Sequence, residues 1–240
     1  MKALPDISEW NIESLRFTIF VDGKCSFESW WSDWVGIQPE QMQQNYQTGD
    51  LSQFGPYKSG ILELKVSLGR IDWNLSPIVG PGIDFPKLGE FDESVPSFLQ
   101  DATAWLSRSG IAVRRMALGV TAILPVKNMQ DGYEMMSVLL PFIPFGGDWS
   151  DFSFQLNKRC NSKSIDGLTI NRLARWSVVE FVSVMQAPGM NLKQKSSTAC
   201  RMEMDFNSAD GHPVPEGLSS ELAIELSQKA RNLVLLGARQ

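Results

Sequence analysis

The chain switches between two hydrophobic periods, and the switches mark its elements. Leu15, Phe17, Ile19 and Val21 fall at every second position, which predicts a strand with one face in the core. Asp22-Gly23 turns the chain. Ser26 is placed to cap a helix in which Phe27, Trp30, Trp31, Trp34 and Val35 recur at i, i+3, i+4, i+7 and i+8, and Gly36 ends it. The Gln-rich stretch from Gln38 to Ser59 has no clear period and is expected as a surface loop. Leu62, Leu64, Val66 and Leu68 restore period two. Ile71, Trp73 and Leu75 continue it beyond Gly69-Arg70, as either a bulged strand or a tight hairpin.

Prolines and glycines make a loop of Ser76 to Glu90. Ser94 and Pro96 then open a helix with the stripe Phe98, Leu99, Ala102, Trp105 and Leu106, closed by Gly110. Val113 to Leu124 is apolar or small on both faces, as a central strand buried on both sides would be. Asn128 caps a short helix through Met129, Tyr133, Met136 and Leu140. Phe152, Phe154 and Leu156 alternate, and Asn161 to Gly167 turns. Leu168 to Val184 reads as a long strand whose phase changes near Leu173–Trp176, which predicts a bulge or bend. Met202, Met204 and Phe206 form a last strand. Ser219 caps a final helix with Leu222, Leu226, Leu233 and Val234 inward.

The order is β-α-β-β-α, then β-α-β-β-β-α. This is the α+β class: a mostly antiparallel sheet with helices packed on one side. Residues 1–240 are expected as one compact unit, with possible halves 1–110 and 111–240 built as tandem β-α-β-β-α (ferredoxin-like) units.

Charge narrows the function. With 22 basic and 27 acidic side chains the net charge is −5, which disfavours non-specific binding to nucleic acid or membrane. Cys25, Cys160 and Cys200 are far apart and form no CxxC pair, so plain thiols in a reducing, cytoplasmic setting are expected. The first ten residues carry Asp6 and Glu9 where a signal peptide needs an apolar run. Met116–Leu124 and Ser137–Phe145, the longest apolar stretches, are about half the ~20 residues a membrane span requires.

Candidate chemistry is sparse. His212 is the single histidine; with Asp205 and Asp210 it offers metal-ligand types, but at no recognised spacing, and a solvated turn explains the same residues. No Gly-x-Ser-x-Gly elbow accompanies it. Gly80-Pro81-Gly82 and Gly146-Gly147 read as turns, because a phosphate cradle needs several aligned amides and a proline lacks one. Glu203 and Asp205 share a strand face with Arg201, as a carboxylate pair or as an ordinary exposed face. Lys158, Arg159, Lys163, Arg172 and Arg175 concentrate positive charge near Phe152 and Phe154, the ingredients of a single-stranded RNA surface, although alternation points the rings into the core. Trp30, Trp31 and Trp34 are candidates for a partner-binding patch, although tryptophans at this helical spacing more often pack into the core. No cofactor motif is present, so no cofactor is expected.

Three segments together resemble a patchily distributed family of bacterial proteins of about 250 residues without assigned function. Ile7-Ser8-Glu9 matches the family's opening, Arg115-Met116-Ala117-Leu118 its central strand, and Met204-Asp205-Phe206, before a helix ending Ala230-Arg231-Asn232-Leu233, its closing strand. Gly119-Val120-Thr121-Ala122 stands where the family has Arg-Tyr-Ile-Asn. Patchy distribution implies a mobile gene, of the kind found in phage-defence or toxin–immunity systems. The expected function is therefore a non-enzymatic interaction or accessory subunit, bound to another protein of its system or to itself. An RNA-binding protein and an enzyme using carboxylates alone are the alternatives.

Overall fold

Every strand of the first half ends up beside a neighbour that runs the other way. In the computed structural model, which describes residues 3–22, 29–80, 83–146, 149–185 and 193–239, a 3-10 turn at Ile7–Glu9 leads into β1 (Asn11–Phe20). Asp6 and Glu9 cap that turn reciprocally: Asp6 accepts the Ser8 amide and Glu9 the Asp6 amide. There follow α1 (Trp30–Val35), β2 (Gln41–Gln44), β3 (Leu51–Tyr57), β4 (Gly60–Ser67), β5 (Arg70–Pro77), β6 (Gly89–Glu90) and α2 (Phe91–Ser109). The second half comprises β7 (Arg115–Val126), α3 (Met129–Leu139), β8 (Ser153–Asn161), β9 (Thr169–Met185), β10 (Lys193–Ser208) and α4 (Ser219–Leu236). The proposed Ser26 cap, with Phe27 and Cys25, lies outside the described residues.

All ten strands join one antiparallel sheet in the order β2-β3-β4-β5-β1-β7-β10-β9-β8, with β6 also paired to β1. Both halves follow one plan. The first strand lies beside the last long one, and the strands between them step outward: β1-β5-β4-β3 and β7-β10-β9-β8. β1 and β7 pair antiparallel at the centre, so the connectivity has an approximate two-fold about that seam. The α+β class and the mostly antiparallel sheet are as the pattern predicts.

Alternation gives the sheet one apolar face, and the helices cover it. Ile12, Leu15, Phe17 and Ile19 of β1, and Met116, Leu118, Val120 and Ala122 of β7, are buried there. α2 and α4 pack side by side over these strands, α1 leans on α2, and α3 lies over β9 and β10. Among the described residues no helix is long and apolar enough to cross a membrane.

Several expectations need correction. Gln38–Ser59 is not a loop: it contains β2 and β3, whose inward positions include Gln53 and Gly55, so no apolar period signals them. Of the two readings of Gly69-Arg70, the tight hairpin is the one found: Gly69, at φ +71°, turns β4 into β5. β9 runs through Leu173–Trp176 without a break in register; the apparent phase change arises because Arg172 faces the helices and Leu173 the opposite side. α2 begins one turn before Ser94 and carries Pro96 inside it, and Leu218 rather than Ser219 holds the cap position of α4.

Gly60 tests the hairpin packing. A Cβ there would lie 2.3 Å from the Ser76 carbonyl oxygen and 2.7 Å from Leu88 Cδ2. The first is backbone and cannot swing away. Gly60→Ala is expected to cost about 2–4 kcal/mol, read as a lower urea midpoint at unchanged slope.

Candidate functional site: the open face of the sheet

The face away from the helices is polar, and register assembles its side chains into rows. Glu63, Asn74, Arg16, Gly119, Asp205, Leu173 and Asn157 are successive partners across β4, β5, β1, β7, β10, β9 and β8. Ser14, Thr121, Glu203, Arg175 and Gln155 form the next row. Laid flat, seven strands would span about 29 Å at the usual ~4.8 Å spacing. Yet Glu63 and Gln155 line the same cavity of about 540 Å³. The polar face therefore forms one continuous concavity across these strands, a trough.

One end of the trough is closed by the connection between β5 and β6. Phe85 meets Phe181 of β9 edge to face at 5.5 Å, and the Asp84 carboxylate pairs with Lys195 of β10 at 2.6 Å. At the other end Phe20 is flanked by the guanidinium groups of Arg70 and Arg115, at 5.5 and 4.9 Å from the ring centroid.

Ion pairs fill the floor. Arg16 reaches across β7 to the Asp205 carboxylate, over Gly119, where a Cβ would lie 3.2 Å from Arg16 Cβ and 3.3 Å from Nε. Gly119 is thus roofed by an arginine, and Ala117 and Ile123 on the same face are buried, so β7 is a central strand covered on both sides, as the pattern predicts. Asp205 also accepts from Asn207 (2.9 Å), whose carbonyl takes Arg115 and Asn171 (both 3.0 Å). Arg175 and Arg201 hold Glu203. Arg201 also grips Glu13, the extra residue at the β1 bulge, with two bonds of 2.6 and 3.2 Å. The Arg70 fork holds Asp72 at 2.7 and 2.9 Å, and Thr18 donates to the same carboxylate. Hydrogen bonding to these carboxylates raises the already high pKa of Arg70 and of Arg175.

Glu63 stands apart. Among the described residues its carboxylate accepts only the Asn74 amide, at 3.1 Å, and forms no ion pair, although Lys65 stands two residues along the same strand face. Glu203 and Asp205, the carboxylate pair proposed from sequence, are already engaged by guanidinium groups, so proton transfer through that pair would first have to break the network. Binding by complementary charge and hydrogen bonds is what this arrangement does without rearrangement.

The structure scatters most of the residues proposed from sequence. Trp30, Trp31 and Trp34 are 4%, 2% and 8% exposed and stack with Trp73, Trp105 and Phe98; they belong to the core and leave no patch for a partner. The five basic residues make no strip, because successive strand residues point to opposite faces. Arg159 and Arg175 face the trough, whereas Lys158 and Arg172 face the helices beside Leu156, Trp176 and Phe206. Lys163 sits in the β8–β9 turn, its amide bonded to Glu225. Phe154 packs on Trp176, as the alternation requires. Asp205 lies in the trough, Asp210 pairs with Arg115 at 3.0 Å, and His212 is exposed in the turn beyond β10. Among the described residues no three His, Cys, Asp or Glu side chains are grouped to hold a metal. Pro81, Gly82 and Gly147 lie outside the described residues.

Arg16, Glu63, Asn74 and Gly119 were not singled out from sequence. The available signal was their phase: each is a polar or small residue on the non-core side of a predicted strand. Searched against models of protein families the chain matches none, and no curated protein matches it.

Proposed function

We propose that this protein is a non-enzymatic binding subunit that holds a partner protein in the trough, as an accessory component of a bacterial multi-protein system of the phage-defence or toxin–immunity kind. The observation that carries the reading is a cavity of about 540 Å³ walled by side chains from seven strands and lined mainly by polar and charged groups. Sites of this volume commonly hold a ligand. Its guanidinium groups are held by internal pairs yet keep donors to spare, which suits a surface that adds intermolecular pairs to its own.

We also read each half as a ferredoxin-like unit, on the strand order β4-β5-β1-β7 and its counterpart β9-β10-β7-β1, in which each half supplies the other's outer strand. Open sheet faces of such units commonly serve single-stranded RNA through exposed rings. Glu63, Glu203 and Asp205 stand among the arginines of the lining, and the rings Phe20, Phe85 and Phe181 lie at the ends of the trough, already engaged with arginines or with each other, which favours a protein partner over a polyanion.

The test is affinity capture from the native host. A double variant, Glu63→Lys with Arg175→Glu, keeps the net charge of the protein and is expected to reduce stoichiometric partner recovery at least tenfold. Lys127→Glu, an exposed change outside the trough, should leave it unaltered. Equal capture by the folded double variant would show that the trough is not the docking surface.

A further inference from the structure

We infer that the trough recognises an extended peptide segment of mixed charge, presenting an acidic group to Arg16 and Arg175 and a basic group to Glu63. The inference rests on the trough being the docking site, and adds the chemistry of its occupant.

Three side chains carry it. A guanidinium has five N–H groups. Arg16 makes one hydrogen bond among the described residues, through Nη2 to Asp205, and its Nε is shut off from solvent with no acceptor. Arg175 makes one, through Nη2 to Glu203. Asp205 and Glu203 are two residues apart on the same face of β10, so both guanidinium groups converge there with donors to spare. A carboxylate accepts several such donors at once, and the remaining Nη hydrogens of the two guanidinium groups are the ones it would take. On the opposite wall Glu63 has acceptor capacity and forms no ion pair among the described residues.

The spacing sets the size of the ligand. Glu63 projects from β4, and the Arg16 head lies over β7 and β10; allowing for the concavity, the two charges are roughly 10–15 Å apart. A free amino acid is too short to bridge them. An extended peptide rises about 3.3 Å per residue and alternates its side chains, so an acidic and a basic side chain four residues apart, about 13 Å along one face, would meet both.

A displayed library of random twelve-residue peptides, panned on the intact wild-type protein and counter-selected on the Glu63→Lys, Arg175→Glu double variant, tests this. Enriched peptides should carry one acidic and one basic residue separated by three others, so that both fall on one face of the extended segment. Their binding should weaken at least tenfold in Glu63→Gln, whose uncharged amide keeps the side-chain shape. Enrichment of apolar, purely acidic or purely basic peptides would overturn the inference, as would no enrichment. Should that happen while the double variant still loses the native partner, the trough remains the docking site and only the mixed-charge chemistry falls.

Discussion

Trp73→Ala is expected to cost about 4–5 kcal/mol and to lower the melting temperature by on the order of 10–15 °C. Trp73 is fully buried on β5 and touches three other indoles. Its ring centroid lies 4.3 Å from Trp34, 5.3 Å from Trp105 in an edge-on arrangement, and 6.2 Å from Trp31. Truncation removes the ring that joins α1 and α2 to the sheet, and no neighbour is small enough or flexible enough to refill the space. The ring pairs add to the burial, at about 0.5–1.5 kcal/mol each. Thermal unfolding followed by near-ultraviolet circular dichroism reports both the loss of stability and the loss of indole coupling. A cost under 1 kcal/mol would mean that the cluster is loosely packed and that α1 is free to present its tryptophans elsewhere.

The second large effect is at Glu225, and it depends on pH. This carboxylate on α4 is 6% exposed and clasps the β8–β9 turn. It accepts the Ser162 and Ser164 hydroxyls (both 2.6 Å) and the amides of Lys163 (2.9 Å) and Ser164 (3.2 Å), and it pairs with Lys229 at 3.1 Å. Burial by itself pushes its pKa up. The donors together outweigh that and pull it from 4.5 down to about 2. A carboxylate whose pKa is lower folded than unfolded stabilises the fold above its unfolded value, and the contribution drains away as pH falls toward 2. Glu225→Gln is therefore expected to be less stable than wild type by about 3 kcal/mol at pH 7, with the gap closing between pH 4.5 and 2. Urea unfolding of the two proteins across that range checks it. A gap that stays constant with pH would assign the loss to shape rather than charge.

These two residues also show what the pattern of the chain makes legible. Trp73 stands in strict alternation with Ile71 and Leu75, so its burial follows from period two. Glu225 sits on the helical stripe between Leu222 and Leu226, and nothing local says that a turn sixty residues earlier comes to rest on it. The same division runs through the trough. That Arg16 and Thr18 face away from the core was readable, because Phe17 and Ile19 do not. That Arg16 crosses Gly119 to reach Asp205 depends on which strands are neighbours, information carried by long-range pairing. Basic residues adjacent in sequence, Lys158 and Arg159, part company for the converse reason: a strand sends neighbours to opposite faces. β2 and β3 escaped notice since Gln53 and Gly55 occupy core-side positions where the pattern expects aliphatic residues.

The seam between β1 and β7 also has a consequence for synthesis on the ribosome. β1 waits about a hundred residues for β7, the neighbour on its far side, and β7 in turn waits about seventy more for its outer partner, β10. Until then the nascent chain displays an unpaired edge in the middle of what will be its sheet, the kind of edge that recruits other chains. Folding dominated by such distant pairings is slow. Yield from a cell should therefore respond to translation speed and to chaperones that shield strand edges, and the amino-terminal half expressed alone would carry that exposed edge permanently.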